Sequence, residues 1–194
     1  MLLKDRKTGL EKKLRPWTGY YPILAAAEWA PSGAKGQPYT SVVKLLLEAG
    51  ADPNININTR FGCTPLHYTA TEFNIEMAEL LLNAGADPNT KDTRGRTPLL
   101  DILVWGTVPR RMGSRLSRAT EMVEVLLKAG ANPCTPDNDG DSALYLAKLK
   151  GHTQIVKLFE EHLALQQVSP NLKLLARKGA IHLCGHLCSK HELE

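Results

Sequence analysis

Two short strings recur along the chain, and their recurrence limits it to a repeat architecture before any helix or strand is assigned. One reads Gly50-Ala51-Asp52-Pro53-Asn54, then Gly85-Ala86-Asp87-Pro88-Asn89, then Gly130-Ala131-Asn132-Pro133. The other reads Gly62-Cys63-Thr64-Pro65-Leu66-His67, then Gly95-Arg96-Thr97-Pro98-Leu99-Leu100. Weaker copies stand at Gly19-Tyr20-Tyr21-Pro22-Ile23-Leu24 and Gly140-Asp141-Ser142-Ala143-Leu144-Tyr145. Gly62 and Gly95 lie 33 residues apart, whereas Gly19 to Gly62 is 43 and Gly95 to Gly140 is 45. The excess falls in two places, near 31–38 and near 107–118, and reads as insertions in the first and third copies.

Each string has a local physical role. Thr64 is placed to cap a helix by accepting from a free N–H, and Pro65 suits the first helical position, where no N–H is needed. Gly85 suits the end of a second helix, where a left-handed residue is cheap for glycine alone. Between the strings the second copy predicts two short helices, Leu66–Glu72 and Ile75–Asn83, joined by a turn at Phe73-Asn74. Leu80, Leu81 and Leu82 give the second of these a broad apolar side. Helices this short are marginal alone, so their stability must come from stacking on neighbouring copies. The fold class is therefore all-α, with about four helix-turn-helix units and a C-terminal helical tail.

The period and the paired strings resemble the ankyrin repeat over about Trp17 to Leu163. The units run 17–54, 58–89, 92–134 and 137–163, after a basic segment at 1–16. The resemblance implies a solenoid with β-hairpin-like fingers along one edge of an extended concave surface. It also implies that motif histidines such as His67 brace neighbouring backbone. A protein target is expected on the concave face, held by residues that the stack does not need. In this register these are Arg60, Phe61, Thr71 and Glu72, then Arg94, Arg96 and Trp105, then Asn138, Asp139 and Asp141. Cys63, Thr93, Val104, Leu149 and Lys150 are expected on the same surface. Phe61 and Trp105 stand out, because aromatic and arginine side chains anchor interfaces.

The tail at 169–194 opens Ser169-Pro170-Asn171-Leu172-Lys173-Leu174-Leu175-Ala176-Arg177, with Ala180-Ile181-His182 following. Pro170 breaks the preceding element and Asn171 can cap a new helix. This string resembles the start of a SOCS box, as in the ankyrin-repeat and SOCS-box family of ubiquitin-ligase substrate receptors. The resemblance implies that Leu172, Leu175 and Ala176 contact elongin B/C and that a cullin follows. Ala176 stands where cysteine is commoner in that family, and the cullin-contacting half is not present in the 194 residues. A shorter role for the same helix is to cover the last repeat.

No catalytic constellation and no phosphate-cradling glycine loop is present in the pattern, since the glycines fall at helix ends and fingers. No cofactor and no metal are expected. His182, Cys184, His186 and Cys188 carry the donor types that hold zinc, which leaves a metal- or nucleic-acid-binding module as an alternative, but their alternation is unlike the usual finger spacing. Asp52, Asp87 and Asp92 fall where acceptors stabilise turns. Four cysteines spread over 194 residues do not read as a disulfide framework, so a reducing interior, cytoplasmic and also nuclear, is expected. No apolar run approaches a membrane span. The net charge of +4 is a weak pointer to nucleic acid. The basic loop carrying Arg110, Arg111, Arg115 and Arg118 behind Trp105 reads as a solvated insertion, with an acidic partner or RNA as the alternative.

Overall fold

Each recurring string builds one helix end, and the helices follow in the order the strings dictate. The computed structural model describes residues 21–28, 38–56, 61–105 and 116–167. Among them are eight helices: α1 (Pro22–Glu28), α2 (Pro38–Glu48), α3 (Pro65–Thr71), α4 (Ile75–Asn83), α5 (Pro98–Trp105), α6 (Leu116–Lys128), α7 (Ala143–Leu149) and α8 (Thr153–Gln167). No strand ladder occurs among these residues; the fingers contribute one antiparallel bridge, Pro136 to Ser142. The all-α expectation therefore holds, and the two helices predicted in the second copy match α3 and α4. Two boundaries move. The expected insertion 107–118 loses its last residues to α6, which starts at Leu116, and Pro38 opens α2. The basic segment 1–16 and the tail 169–194 lie outside the described residues.

The caps explain these bounds. Asn74 accepts the Met77 N–H at 3.2 Å and Ser142 accepts that of Tyr145 at 3.2 Å. The Thr64 cap differs from expectation. Its backbone N–H donates to the His67 ring Nδ1 at 3.1 Å, and its hydroxyl lies 2.9 Å from the same nitrogen. The third helical residue thus reaches back to the cap, as glutamate does in a capping box. The turn from α3 to α4 places Phe73 at φ 54, whereas the turn after α7 has Gly151 there at φ 70. A left-handed non-glycine residue costs about 1–2 kcal/mol. Phe73 is 2% exposed, and burying such a side chain returns about 1.5–3 kcal/mol.

The chain divides into two compact bodies, Met1–Val156 and Lys157–Glu194. In the first, α1, α3, α5 and α7 pack in succession as inner helices, while α2, α4 and α6 pack in succession as outer ones. Leu66, Leu99, Ala70 and Leu103 on the inner row and Met77, Leu81, Met122 and Leu126 on the outer row are all fully buried. On α2, the same register holds Val42, which is 44% exposed. In the second body the described residues, 157–167, are the remainder of α8, with Lys157 and Glu161 paired at 3.8 Å.

Asparagine side chains join successive strings by paired hydrogen bonds. Asn54 donates from Nδ2 to the Gly85 carbonyl at 3.0 Å and accepts the Asp87 N–H at 2.7 Å. Asn89 does the same one repeat later, to the Gly130 carbonyl at 3.0 Å and from the Asn132 N–H at 2.8 Å. An amide is suited to this because it gives and takes at once. Cys134 occupies the corresponding place in the third string, and a thiol cannot make that pair. Asp52, Asp87 and Asn132 accept the N–H two residues on, which shapes each turn as expected. Asn89→Ala is expected to lower unfolding free energy by about 1–2 kcal/mol, and Cys134→Asn to change it by less than about 0.5 kcal/mol, in urea titrations followed by circular dichroism.

Candidate protein-interaction site

The residue before the threonine or serine of the second string is Cys63, Arg96 and Asp141 in successive repeats. In the third repeat it turns inward. Asp92, at the base of the finger, accepts from the Arg94 and Arg96 N–H groups through Oδ1, at 2.9 and 2.8 Å. Its Oδ2 takes Arg96 Nε at 3.2 Å and Nη2 at 2.9 Å. Arg96 Nη1 lies 3.1 Å from Asp101 Oδ1 on α5. The three side chains are almost fully buried, so one guanidinium is shared by two carboxylates away from water. Burial pushes the Asp101 carboxyl up to about 7, with Arg96 opposing the rise and Asp92 adding to it. Cys63 joins the group, its thiol pushed up to about 12 by burial and by the two aspartates.

Cys63, Asp92 and Asp101 place their ligand-type atoms within 4.8 Å of one another. Arg96 already bridges the two carboxylates, and a thiol held protonated is a poor metal ligand. The group is better described as a buried ion cluster than as a metal centre. His67 is likewise committed to structure. Its Nε2 lies 3.0 Å from the Arg96 carbonyl, so Nε2 carries the proton and Nδ1 accepts from Thr64. Both nitrogens are occupied, and burial holds its pKa below the ordinary value. The expected bracing of neighbouring backbone is what the ring does.

The residues expected to meet a partner now divide by what the fold asks of them. Arg96 is 6% exposed and leaves the surface, because its charge is needed between Asp92 and Asp101. The Asn138 amide donates to the Thr93 carbonyl at 3.1 Å and ties adjacent fingers. The Thr71 hydroxyl turns back to the His67 and Tyr68 carbonyls. Glu72 caps α3 and is half-buried, as is Asp141. Phe61, Arg94 and Asp139 remain exposed. Arg94 lies over the Phe61 ring, its guanidinium carbon 5.0 Å from the centroid. Trp105 ends α5, its side chain outside the described atoms; Arg60, Leu172, Leu175 and Ala176 lie outside the described residues. Lys150 donates from Nζ to the Leu103 carbonyl.

Sequence reasoning missed Asp101 and Tyr145. Tyr145 sits in the register of His67 and Leu100, each 1% exposed, yet is itself 53% exposed, and Leu149 one turn on is 67% exposed. The signal was available, since the fourth repeat departs from both earlier copies at that column.

The fingers close on one another through backbone. Thr93 donates from both its N–H and its hydroxyl to the Phe61 carbonyl, at 2.9 and 3.0 Å. The Asn138 N–H donates to the Arg94 carbonyl at 2.9 Å. Gly95 at φ 78 makes this approach possible, since a Cβ there would stand 2.9 Å from the Asn138 nitrogen.

This lattice of stacked helix pairs, stapled fingers and repeated capping strings is matched by family comparison. Ankyrin repeats in three copies match residues 9–107, and ankyrin repeats in many copies match residues 115–160. The chain belongs to the ankyrin-repeat family. The interval between the two matches falls inside the arginine-bearing insertion of the third repeat. Among 439 matching chains of solved structures is an ankyrin repeat domain from Acinetobacter baumannii AYE, with a TM-score of 0.60 and 30% identity. The match covers 74% of this chain and 64% of that one, so this chain spans under two thirds of that relative. No curated protein sequence matches. Ankyrin repeats indicate a protein–protein interaction scaffold, and no described helix is long and apolar enough to cross a membrane.

Two outcomes follow from the cluster. The folded chain holds the Asp101 proton more tightly than an unfolded chain, whose ordinary value is 3.8 against about 7. Asp101 therefore stabilises below the unfolded value and loses that contribution as pH rises through about 7. Asp101→Asn is expected to flatten the fall in thermal midpoint between pH 5 and 8 (~three pH units spanning that titration). Arg96→Met should cost about 3–5 kcal/mol at pH 8, measured by urea unfolding, because two buried carboxylates lose their counter-charge.

Proposed function

We propose that the chain is a substrate-recognition adaptor of an elongin/cullin-type ubiquitin ligase. The repeats hold a protein target, and the C-terminal string hands the complex to the ligase. The exposed Phe61–Arg94 pair, beside residues that the stack has already claimed, carries the target-binding half of this reading. An arginine resting on an aromatic ring with its edge in solvent is the kind of anchor that dominates interfaces. The ligase half rests on the likeness of Ser169–Arg177 and Ala180–His182 to the start of a SOCS box. In this role the protein performs no chemistry itself, and it works inside the cell, in cytoplasm and nucleus. Nucleic acid is disfavoured as the partner, since Asp139 and the half-buried Asp141 stand one finger from Arg94.

The simpler reading keeps the first half alone, a binding or inhibitory ankyrin protein whose tail only covers the last repeat. The two separate on one measurement. Full-length chain expressed with elongin B and elongin C is expected to co-purify with both, and Leu172→Asp should reduce recovery by at least about tenfold, equivalent to about 1.4 kcal/mol. Absence of the complex with the unaltered chain overturns the adaptor reading and leaves the plain binder.

A further inference from the structure

The finger edge carries opposite charges on adjacent repeats, and only some of them are free of structural duty. In the third repeat Arg94 is exposed and rests on Phe61, which is 37% exposed. Its backbone is held from both sides. The Arg94 N–H donates to Asp92 Oδ1 at 2.9 Å, and its carbonyl accepts from the Asn138 N–H at 2.9 Å. Phe61 is fixed in turn by the two Thr93 donors on its carbonyl. The guanidinium is therefore carried on a rigid turn and stacked on a ring, which lowers the ordering cost of engaging a partner. A planar fork so held matches a carboxylate in a bidentate pair.

The fourth repeat offers the reverse charge. Asp139 is exposed at the tip of its finger, whose turn is fixed by Asp137 Oδ1 accepting the Asp139 and Asp141 N–H groups at 3.0 and 2.9 Å. The Arg94–Asn138 backbone bond makes this the next finger along. Neighbouring packed helices lie about 8–10 Å apart, and a chain extended as polyproline II advances about 3.1 Å per residue and returns to the same face every three residues. Two charges on adjacent fingers are thus about three residues apart on an extended partner.

We propose that the finger edge of the third and fourth repeats reads an extended protein segment bearing a carboxylate side chain over Arg94 and Phe61 and a cationic side chain over Asp139, about three residues apart. This rests on the scaffold reading of the repeats and holds with or without the ligase role. The partner is an extended peptide stretch of mixed charge. A uniformly acidic segment would meet Asp139 and Asp141, and a uniformly basic one would meet Arg94.

The test is selection of a displayed random peptide library on the full-length chain, followed by titration of the enriched peptides. Enriched sequences should place Asp or Glu about three residues from Lys or Arg. Arg94→Glu should weaken them by at least about tenfold, a loss of about 1.4 kcal/mol. A peptide whose acidic residue is replaced by lysine should regain affinity for that variant, which a merely misfolded variant could not support. Glu76→Arg, on the exposed side of α4, should leave binding unchanged. Peptides that bind equally well to the Arg94→Glu chain overturn the finger-edge assignment while leaving the scaffold reading in place. Failure to enrich any peptide overturns both the assignment and peptide recognition by the repeats.

Discussion

A side-chain amide that donates to one backbone group and accepts from another is the link on which this structure depends. Short helices of seven to nine residues, such as α3 and α4, have no stability in isolation. They persist because each repeat buries its faces on the next, and the register of that burial is held at the turns. Asn54 and Asn89 hold it by bonding both a carbonyl and an N–H of the following string. Aspartate could only accept and lysine could only donate. Cys134 at the same place lacks both capacities, so the third string has no amide equivalent to Asn54 and Asn89.

The buried ion cluster works by a different balance. Desolvating a guanidinium and two carboxylates costs several kcal/mol per ion before any attraction is counted. Attraction offsets that cost only when geometry is good, and Asp92 meets the requirement with four hydrogen bonds to the Arg94 and Arg96 N–H groups and the guanidinium. Asp101 faces the guanidinium through one contact at 3.1 Å, and burial pushes its carboxyl up against the opposing pull of Arg96. Two acids facing one arginine therefore differ in role. Asp92 builds the finger, while Asp101 meets the same guanidinium from α5.

Most of the helical fold was legible because it is written twice. Recurrence placed α3 and α4 at their ends, and the aspartates at 52 and 87 announced their turns through side-chain length alone. The candidate site was legible in part. Phe61, Arg94 and Asp139 could be reached by subtracting the residues that the motif needs. Arg96 could not, because its column reads cysteine in one neighbour and aspartate in the other, which looks like surface variation. What turns it inward is Asp101, five residues on, within a helix whose register gives tyrosine and leucine at the same position in adjacent repeats. A lone charge among apolar residues is weak as a pattern and strong as a contact, and only coordinates distinguish the two.

The cluster and the surface pair share one turn. Asp92 fixes the backbone of both Arg94 and Arg96 through a single carboxylate oxygen, so the outward arginine is positioned by the inward one's partner. Arg94 also lowers the tendency of Asp101 to hold its proton, which means the exposed guanidinium is felt electrostatically beneath the surface. The finger edge and the buried junction thus share Asp92, which holds the turn that presents Arg94 and also binds the guanidinium of Arg96.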